Sequence, residues 1–306
     1  MTDYAAWWVK TTRELAPDVT VLLCTGGSGI PELGADMTAQ AKMVANYGAG
    51  IRITNEASDY ATNFYLTNII GTACRQYNTF FGYEPAGAVD TNGITARIYN
   101  AIASGAWELF HYDNPPRGER GNQYKRYLEL MQIRVPRIEV GFFWSRTSAD
   151  LKLHRGLDKA ARSVRDLVDV AFIDEQLIAD GALDELRVFV WASGTVTEAD
   201  TVHAIQRAVE KGLTLVVPKN WEARSPEGEL LFPFATASPP QESEKSDSPI
   251  PSSTLEVLPM GDGAIIQSSS KRDKGIITAL EEVLRNPAVL GVPALAPETT
   301  IDARLD

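Results

Sequence analysis

The sequence predicts an α/β protein of two units, each built on a parallel β-sheet. Short apolar runs rich in β-branched residues, typical of strands buried on both faces, alternate with longer segments of helical periodicity. Pro136 separates two such series. The chain has 306 residues and 44% hydrophobic content, which leaves room for about two domains with ordinary cores. We therefore expect one unit at residues 1–133 and a second at 134–300.

The first unit shows four strand-like runs joined by helical segments, the pattern of a parallel βα architecture. Gly48 and Gly105 follow two of the helical segments, as C-terminal glycine caps do. We expect Trp7 and Trp8 of an N-terminal helix to pack against the sheet. The predicted strands are 20–27, 50–58, 78–84 and 106–113, and the helices between them are 34–48, 60–77 and 93–105.

The second unit has the pattern of a small doubly wound sheet. Its segment 233–253 is rich in Pro, Ser and charge and almost free of aliphatic residues, so we expect a disordered insert there. The stretch 254–269 resumes strand-like patterning around a turn at Gly261–Gly263. The other predicted strands are 137–145, 168–174, 187–194 and 213–218, and the helices are 148–166, 197–211 and 274–286.

Composition excludes several classes of function. The formal net charge is -11 and no Lys/Arg cluster offsets it, so nucleic acid and anionic membranes are poor partners. The N-terminus lacks a basic region followed by an apolar core, and no run of about 18 apolar residues occurs, so we expect a cytoplasmic protein. Cys24, Cys74 and three scattered His compose neither a disulfide scaffold nor a zinc site. We expect no metal and no cofactor, and chemistry that rests on carboxylates.

Polar residues follow each strand of the first unit, at the edge where functional groups collect in barrels and open parallel sheets. Glu84 ends the strand NTFFGYE, and a Glu is rarely buried without a partner or a function. A structural alternative is that Glu84 caps a helix or pairs with Arg97. The Gly-rich stretch TGGSG at 25–29 lacks the Lys of a phosphate-binding loop, which favours an ordinary βα turn.

Four segments of the first unit carry a family resemblance: ITNEASDYATNF, FGYEPAG, ARIYNAIASGA and the strand LFHYD. They resemble the second half of the catalytic barrel in bacterial β-galactosidase-like glycoside hydrolases of the family 42 type. Residues 137 to about 290 resemble the glutamine-amidotransferase-like β-galactosidase trimerisation domain, most clearly in FIDEQLIADGALDELRVFVWASGTV. The resemblance implies a partial (β/α) barrel, its last four βα units, followed by a doubly wound, amidotransferase-like α/β domain.

The resemblance implies that Glu84 is the nucleophile of a retaining glycosidase. That chemistry needs a second carboxyl about 5 to 5.5 Å away as acid/base, which the family places after the fourth barrel strand in an Asn-Glu pair. Counting back from Glu84, the first four strands are not in this sequence. Asn55-Glu56 offers an Asn-Glu pair, but one helix separates it from Glu84 where fourth and seventh strands need three. This spacing favours Glu56 as a ligand for substrate hydroxyls or a neighbouring cation, with the acid as the alternative.

The implied substrate is a β-glycoside, with galactose the expected sugar. Asn55, Glu56, His111, Tyr112 and Trp107 are the expected substrate-binding residues, the last three as a sugar platform for which core packing is the alternative. The chain is then a fragment, a protein that needs a partner carrying the N-terminal half barrel, or a domain refolded around a different geometry.

For the second domain, glutaminase activity is excluded because no Cys follows Cys74, and the strand where the nucleophile would lie ends WASGTV. The resemblance implies that this domain forms a homo-oligomer. The rival function is a non-catalytic carbohydrate-binding or oligomerisation module.

Overall fold

A computed structural model describes residues 2–25, 35–55, 60–85, 91–109, 118–127, 129, 136–153, 168–232, 255–268 and 273–285. The predicted insert at 233–253 and most of the helix predicted at 148–166 lie outside these residues. The helices of the first half are α1 (Thr2–Leu15), α2 (Met37–Ala45), α3 (Tyr60–Gln76), α4 (Thr91–Ala103) and α5 (Gly118–Tyr127). Its strands are β1 (Leu22–Thr25), β2 (Gly50–Asn55), β3 (Phe81–Pro85) and β4 (Glu108–Leu109).

The first four strands form one parallel sheet in the order β1-β2-β3-β4. This arrangement confirms the parallel sheet expected from alternating strands and helices. Within the described ranges the sheet is open, since β1 and β4 each have a single neighbouring strand. Helix ends follow the sequence signals: the Asp36 carboxylate caps α2 by accepting from the Ala39 N–H at 2.8 Å, and Gly105 turns the chain after α4 with a φ of 85°.

The second half contains a six-stranded sheet in the order β11-β12-β8-β7-β5-β6, parallel except for the β11–β12 hairpin. The order of β6-β5-β7-β8-β12 is that of a doubly wound sheet, with the topological switch between β5 and β7. The strands are β5 (Val140–Phe143), β6 (Val170–Ile173), β7 (Val188–Val190), β8 (Thr214–Val217), β11 (Glu256–Met260) and β12 (Gly263–Gln267), and a separate pair is formed by β9 (Ala223–Arg224) and β10 (Leu230–Phe232). The helices are α6 (Arg146–Asp150), α7 (Glu175–Ala179), α8 (Ala199–Glu210) and α9 (Asp273–Arg285).

Two apolar cores lie on the two faces of the second sheet. One is completed by α7 and α8, and the other is shared with the first sheet and its helices α2 and α3. At this shared core Phe64 and Tyr65 of α3 pack edge-on against Phe172 of β6, with ring centroids 6.3 and 5.1 Å apart. Helix α3 therefore covers a face of the second sheet as well as its own.

Asn68 of α3 closes the free edge of the second sheet. Its Nδ2 donates to the Val170 carbonyl at 2.6 Å, and its Oδ1 accepts from the Phe172 N–H at 3.2 Å. A residue in a neighbouring parallel strand makes the same pair of bonds, to the C=O of one residue and the N–H two residues on. The buried carboxamide thus replaces a seventh strand and satisfies backbone groups that edge strands leave free.

Polar contacts join the two halves around this core. Asp180, after α7, accepts from Lys42 Nζ at 2.7 Å and from Tyr77 Oη at 2.8 Å. Burial raises the pKa of Asp180 less than the hydrogen bonds from Lys42, Tyr77 and Gln176 lower it, so this carboxyl stays ionised further into acid than usual. Arg146 Nη1 lies 2.7 Å from Asp36 Oδ2. These contacts fix how α2 and α3 lie on the second sheet.

The N-terminal helix departs from expectation. Trp7 and Trp8 do not pack against the sheet, since they are 55% and 49% exposed, and Val9 is the buried residue of α1. The two indoles lie 4.8 Å apart, beside Tyr4. The prediction failed because adjacent residues of a helix point about 100° apart, so a WWV run cannot place all three side chains inward. In the described part of the chain, no helix is both long and apolar enough to cross a bilayer.

We expect Asn68→Ala to lower the free energy of unfolding by about 2–6 kcal/mol, because it leaves two buried backbone groups of β6 without partners at about 1–3 kcal/mol each. Urea unfolding measures this. The matched control is Asn122→Ala, at an exposed position of α5. Equal stability of the two variants would contradict the role of Asn68 as an edge closure.

Candidate active site

One face of the first sheet is polar. Ile51, Ile53, Phe81 and Tyr83 are buried under helices on the opposite face. Because side chains alternate along a strand, the residues between them belong to the other face.

A row of four residues crosses this polar face at one level. Strand register aligns Cys24 of β1 with Arg52, Arg52 with Gly82, and Gly82 with Glu108. Cys24 is exposed, and Arg52 and Glu108 are half-buried. The polar face is thus the side of the sheet available to a ligand.

Gly82 gives the Glu108 side chain its place on this face. A Cβ at position 82 would lie 3.0 Å from Glu108 Oε2 and 3.3 Å from Glu108 Cβ, so the carboxyl lies across β3 where a side chain is missing. Glu108 Oε2 is buried and has no hydrogen-bond partner among the described residues. The sequence alone did not lead us to Glu108 or Arg52 as site residues. The alternation of apolar and polar residues in GIRIT and the Glu within AWEL are the features that could have indicated them.

The backbone of Glu84 lies one step further along the same face, near the carboxyl end of β3. Thr54 aligns with Glu84 and Asn55 aligns with Pro85, so Asn55 and Glu84 occupy adjacent strands at nearly one level. Neighbouring strands lie about 4.8 Å apart. The described part of the chain does not include Glu56, His111 or Tyr112. Arg97, the alternative partner of Glu84, is buried on α4.

Trp107 lies at the other end of the strands. Its N–H donates to the Phe81 carbonyl at 2.8 Å, and its ring packs 5.0 Å from that of Phe80. Phe81 begins β3, three residues before Glu84, which corresponds to about 10 Å along the strand. Within the described residues β4 begins only at Glu108, so Trp107 precedes the strand and stands at its amino end, and its contact with substrate stays a prediction.

At the carboxyl edge of the second sheet, the side chains that follow its strands bond to one another and fill the space. Glu175 accepts from the Arg146 N–H at 2.6 Å and from Thr197 Oγ1 at 3.1 Å, and Ser145 Oγ lies 2.8 Å from Glu175 Oε1. These residues follow β5, β6 and β7, so they occupy the topological switch point where doubly wound proteins commonly bind ligands. A Cβ on Gly194 would lie 2.5 Å from Ser145 Cβ, which leaves no room between them.

Solved structures of glycoside hydrolases share this fold. The chain matches a β-galactosidase from Bacillus circulans sp. alkalophilus with a TM-score of 0.64 at 12% identity, over 94% of this chain and 56% of that one. It matches a cold-adapted β-galactosidase from Rahnella sp. R3 with a TM-score of 0.62 at 10% identity, over 96% and 57% of the two chains.

An exo-β-1,4-mannosidase from an Opitutaceae bacterium is also similar, with a TM-score of 0.55 at 10% identity over 95% of this chain and 68% of that one. No protein-family model and no curated protein sequence matches. The chain spans little more than half the length of the β-galactosidases. At these identities the likeness shows the fold.

Asp174, at the end of β6, makes stability depend on pH. It accepts from Thr38 Oγ1 at 2.5 Å and from the Leu177 N–H at 2.9 Å. Burial raises its pKa to about 6, more than these hydrogen bonds lower it. Because the folded pKa lies above the unfolded value of 3.8, the protonated carboxyl contributes stability that is fully present below pH 3.8 and is lost as pH rises through 6.

We therefore expect Asp174→Asn to be more stable than the parent chain at pH 7 by roughly 3 kcal/mol, and to lose this advantage toward pH 4. The carboxamide keeps an acceptor for Leu177 and needs no ionisation. Thermal unfolding from pH 4 to 7 measures the difference, with Asp184→Asn at an exposed position as the control. An advantage that is the same at every pH would contradict the raised pKa.

Proposed function

We propose that this chain carries the C-terminal half of a glycosidase barrel and that Glu84 is its nucleophile, in a retaining hydrolysis of β-glycosides. The observation that supports the proposal is the backbone position of Glu84: it lies near the carboxyl end of β3, an interior strand, two residues after Gly82, in a fold shared with solved β-galactosidases. Carboxyl ends of parallel strands are where catalytic groups collect in barrels.

The first step would be attack of the Glu84 carboxylate on the anomeric carbon, with departure of the leaving group and formation of a glycosyl-enzyme. A second carboxyl must protonate the leaving oxygen and then activate the water that releases the sugar. Glu56 is the candidate for that role within this chain; otherwise it belongs to the other half of the barrel. Asn55, Glu56, His111 and Tyr112 are proposed to bind substrate hydroxyls and ring faces.

The first sheet has a surface suited to a further half barrel. Strand β1 pairs with β2 alone among the described strands, and Tyr4, Trp7 and Trp8 form an exposed aromatic cluster on the preceding helix α1. Open strand edges are normally paired or covered. We propose that four further βα units, in the same polypeptide or in another one, cover β1 and the aromatic cluster.

The second half is proposed to be an amidotransferase-like trimerisation-type domain without glutaminase activity. The strand β7 that would lead to a nucleophilic Cys continues into Trp191, Ser193 and Gly194, and Gly194 takes the left-handed conformation with a φ of 76°. The two thiols are unpaired, Cys24 exposed and Cys74 buried, which suits the reducing cytoplasm that we propose as its location.

Hydrolysis of aryl β-glycosides, with galactoside, glucoside, mannoside and fucoside compared, tests the catalytic proposal. We expect Glu84→Ala to lower turnover roughly a thousandfold or more, because the covalent step loses its nucleophile, and azide to restore turnover to this variant. The matched control is Glu14→Ala, at an exposed position of α1. Glu108→Gln, which removes the carboxyl group beside Gly82, should lower turnover without rescue by azide.

Turnover that survives in Glu84→Ala would contradict the assignment of Glu84 as the nucleophile. Absence of turnover from the folded parent chain would instead favour the second candidate function, a non-catalytic carbohydrate-binding or oligomerisation module. The open sheet in the described residues is the observation that favours this candidate.

We expect light scattering to give a homo-oligomer, at a whole multiple of the chain mass. The double variant Trp7→Ala and Trp8→Ala should keep that mass, because the proposal assigns these residues to completion of the barrel and assembly to the second half. A monomer at tens of micromolar, or dissociation of the double variant, would contradict this assignment.

A further inference from the structure

A cleft lies at the carboxyl edge of the second sheet, one strand away from the filled switch point. It has a volume of about 970 Å³, within the range of small-molecule sites. Its walls come from the ends of three adjacent parallel strands, β7, β8 and β12, and from β9 and β10. The cleft is lined by charged, amide and aromatic side chains, which include Lys219, Asn220, Trp221, Arg224, Phe232 and Gln267.

Two aromatic rings that line the cleft pack against a buried tryptophan. Buried Trp191 packs against Trp221 and Phe232, with ring centroids 6.1 and 5.9 Å away. The Trp191 indole N–H donates to the Gly194 carbonyl at 3.0 Å, which fixes Trp191 in turn. A rigid aromatic surface can stack on the apolar face of a pyranose ring with little loss of side-chain entropy.

Polar groups surround these rings. The Asn220 N–H donates to Gln267 Oε1 at 3.4 Å, and the Asn220 side chain makes no hydrogen bond within the described residues. Asn220 itself adopts a left-handed backbone with a φ of 52°, a conformation that costs of order 1 kcal/mol and is over-represented at ligand sites. Lys219 is exposed and has no carboxylate partner in the described part of the chain.

The charges of the cleft disfavour a phosphate ligand. Arg224 is already engaged, since its Nη2 lies 3.3 Å from Glu222 Oε2 and its Nη1 donates to the Gly228 carbonyl at 3.1 Å. The helix that follows β7, α8, starts with Glu198 and Asp200, which would repel a phosphate from its N-terminus. Amides, a Lys and an aromatic surface instead suit a neutral ligand rich in hydroxyls.

We propose that this cleft is a second, non-catalytic saccharide site, in which Trp221 stacks on a sugar ring while Lys219, Asn220 and Gln267 bind its hydroxyls. The site is separate from the polar face that carries Glu84, and it does not depend on hydrolysis. In a glycosidase it would hold a distant part of the substrate or a product; in a non-catalytic module it would be a binding site in its own right.

Calorimetric titration of the full chain with β-1,4-linked galactobiose, cellobiose and mannobiose tests the proposal. The titrations use the Glu84→Ala background, so that turnover does not consume the ligand. We expect Kd in the millimolar range for at least one disaccharide, a rise of about tenfold with Trp221→Ala, and a rise of several-fold with Lys219→Ala. Lys211→Ala, at an equally exposed Lys after α8, should leave Kd unchanged.

Lys219→Ala decides the outcome if Trp221→Ala fails to fold, because Lys219 is exposed and supports no other residue in the described structure. Absence of disaccharide binding, or binding that ignores both substitutions, would overturn the proposal. Tighter binding of AMP or inorganic phosphate, lost with Lys219→Ala, would also overturn it by assigning the cleft to a phosphate ligand. The aryl glycoside assay is independent, so failure here leaves the catalytic proposal untouched.

Discussion

The structure depends on one carboxamide at the junction of its two halves. Asn68 makes with β6 the two bonds that a neighbouring strand would make, and it does so from a helix that packs against both sheets. Loss of the Asn68 side chain would leave the edge of β6 uncovered, with its buried backbone C=O and N–H groups lacking hydrogen-bond partners. The two sheets therefore share one core, and the second sheet has a separate core on its other face.

Most of the secondary structure could be predicted because a strand that is buried on both faces is a continuous run of apolar residues in the sequence. β5, β6 and β8 are buried at every residue, and the sequence marks each of them with Pro, Gly or charge at its ends. The short pair β9–β10 and the helix α5 were missed, since GERGNQYKRY carries almost no apolar residues and therefore no periodic signal. A local pattern needs several apolar residues at regular spacing, which the polar sequence of α5 and the two- and three-residue strands β9 and β10 do not supply.

The candidate site was predictable in part for the same reason. Glu84 stands out because it ends an apolar strand. Glu108 does not, because its importance arises from register: only when β3 and β4 are aligned does the absent side chain of Gly82 open a place for its carboxyl. The role of Asn68 could not be predicted either. It lies in a helix of ordinary periodicity, and its hydrogen-bond partners lie more than a hundred residues further along the chain. Contacts between distant segments leave no pattern in a single sequence.

Two glutamates, Glu175 beside the second sheet and Glu108 on the first, differ in how their carboxylates are satisfied. Glu175 accepts from donors in the two segments that follow β5 and β7, so both of its oxygens are engaged in holding β5, β6 and β7 together. Glu108 has a buried oxygen without a donor in the described structure, and a buried carboxylate in that condition is costly unless a positive or hydrogen-bonding group completes its surroundings. Such a cost is unfavourable in a purely structural position. A donor from outside the described residues would remove it, whereas Glu175 already has donors for both of its oxygens.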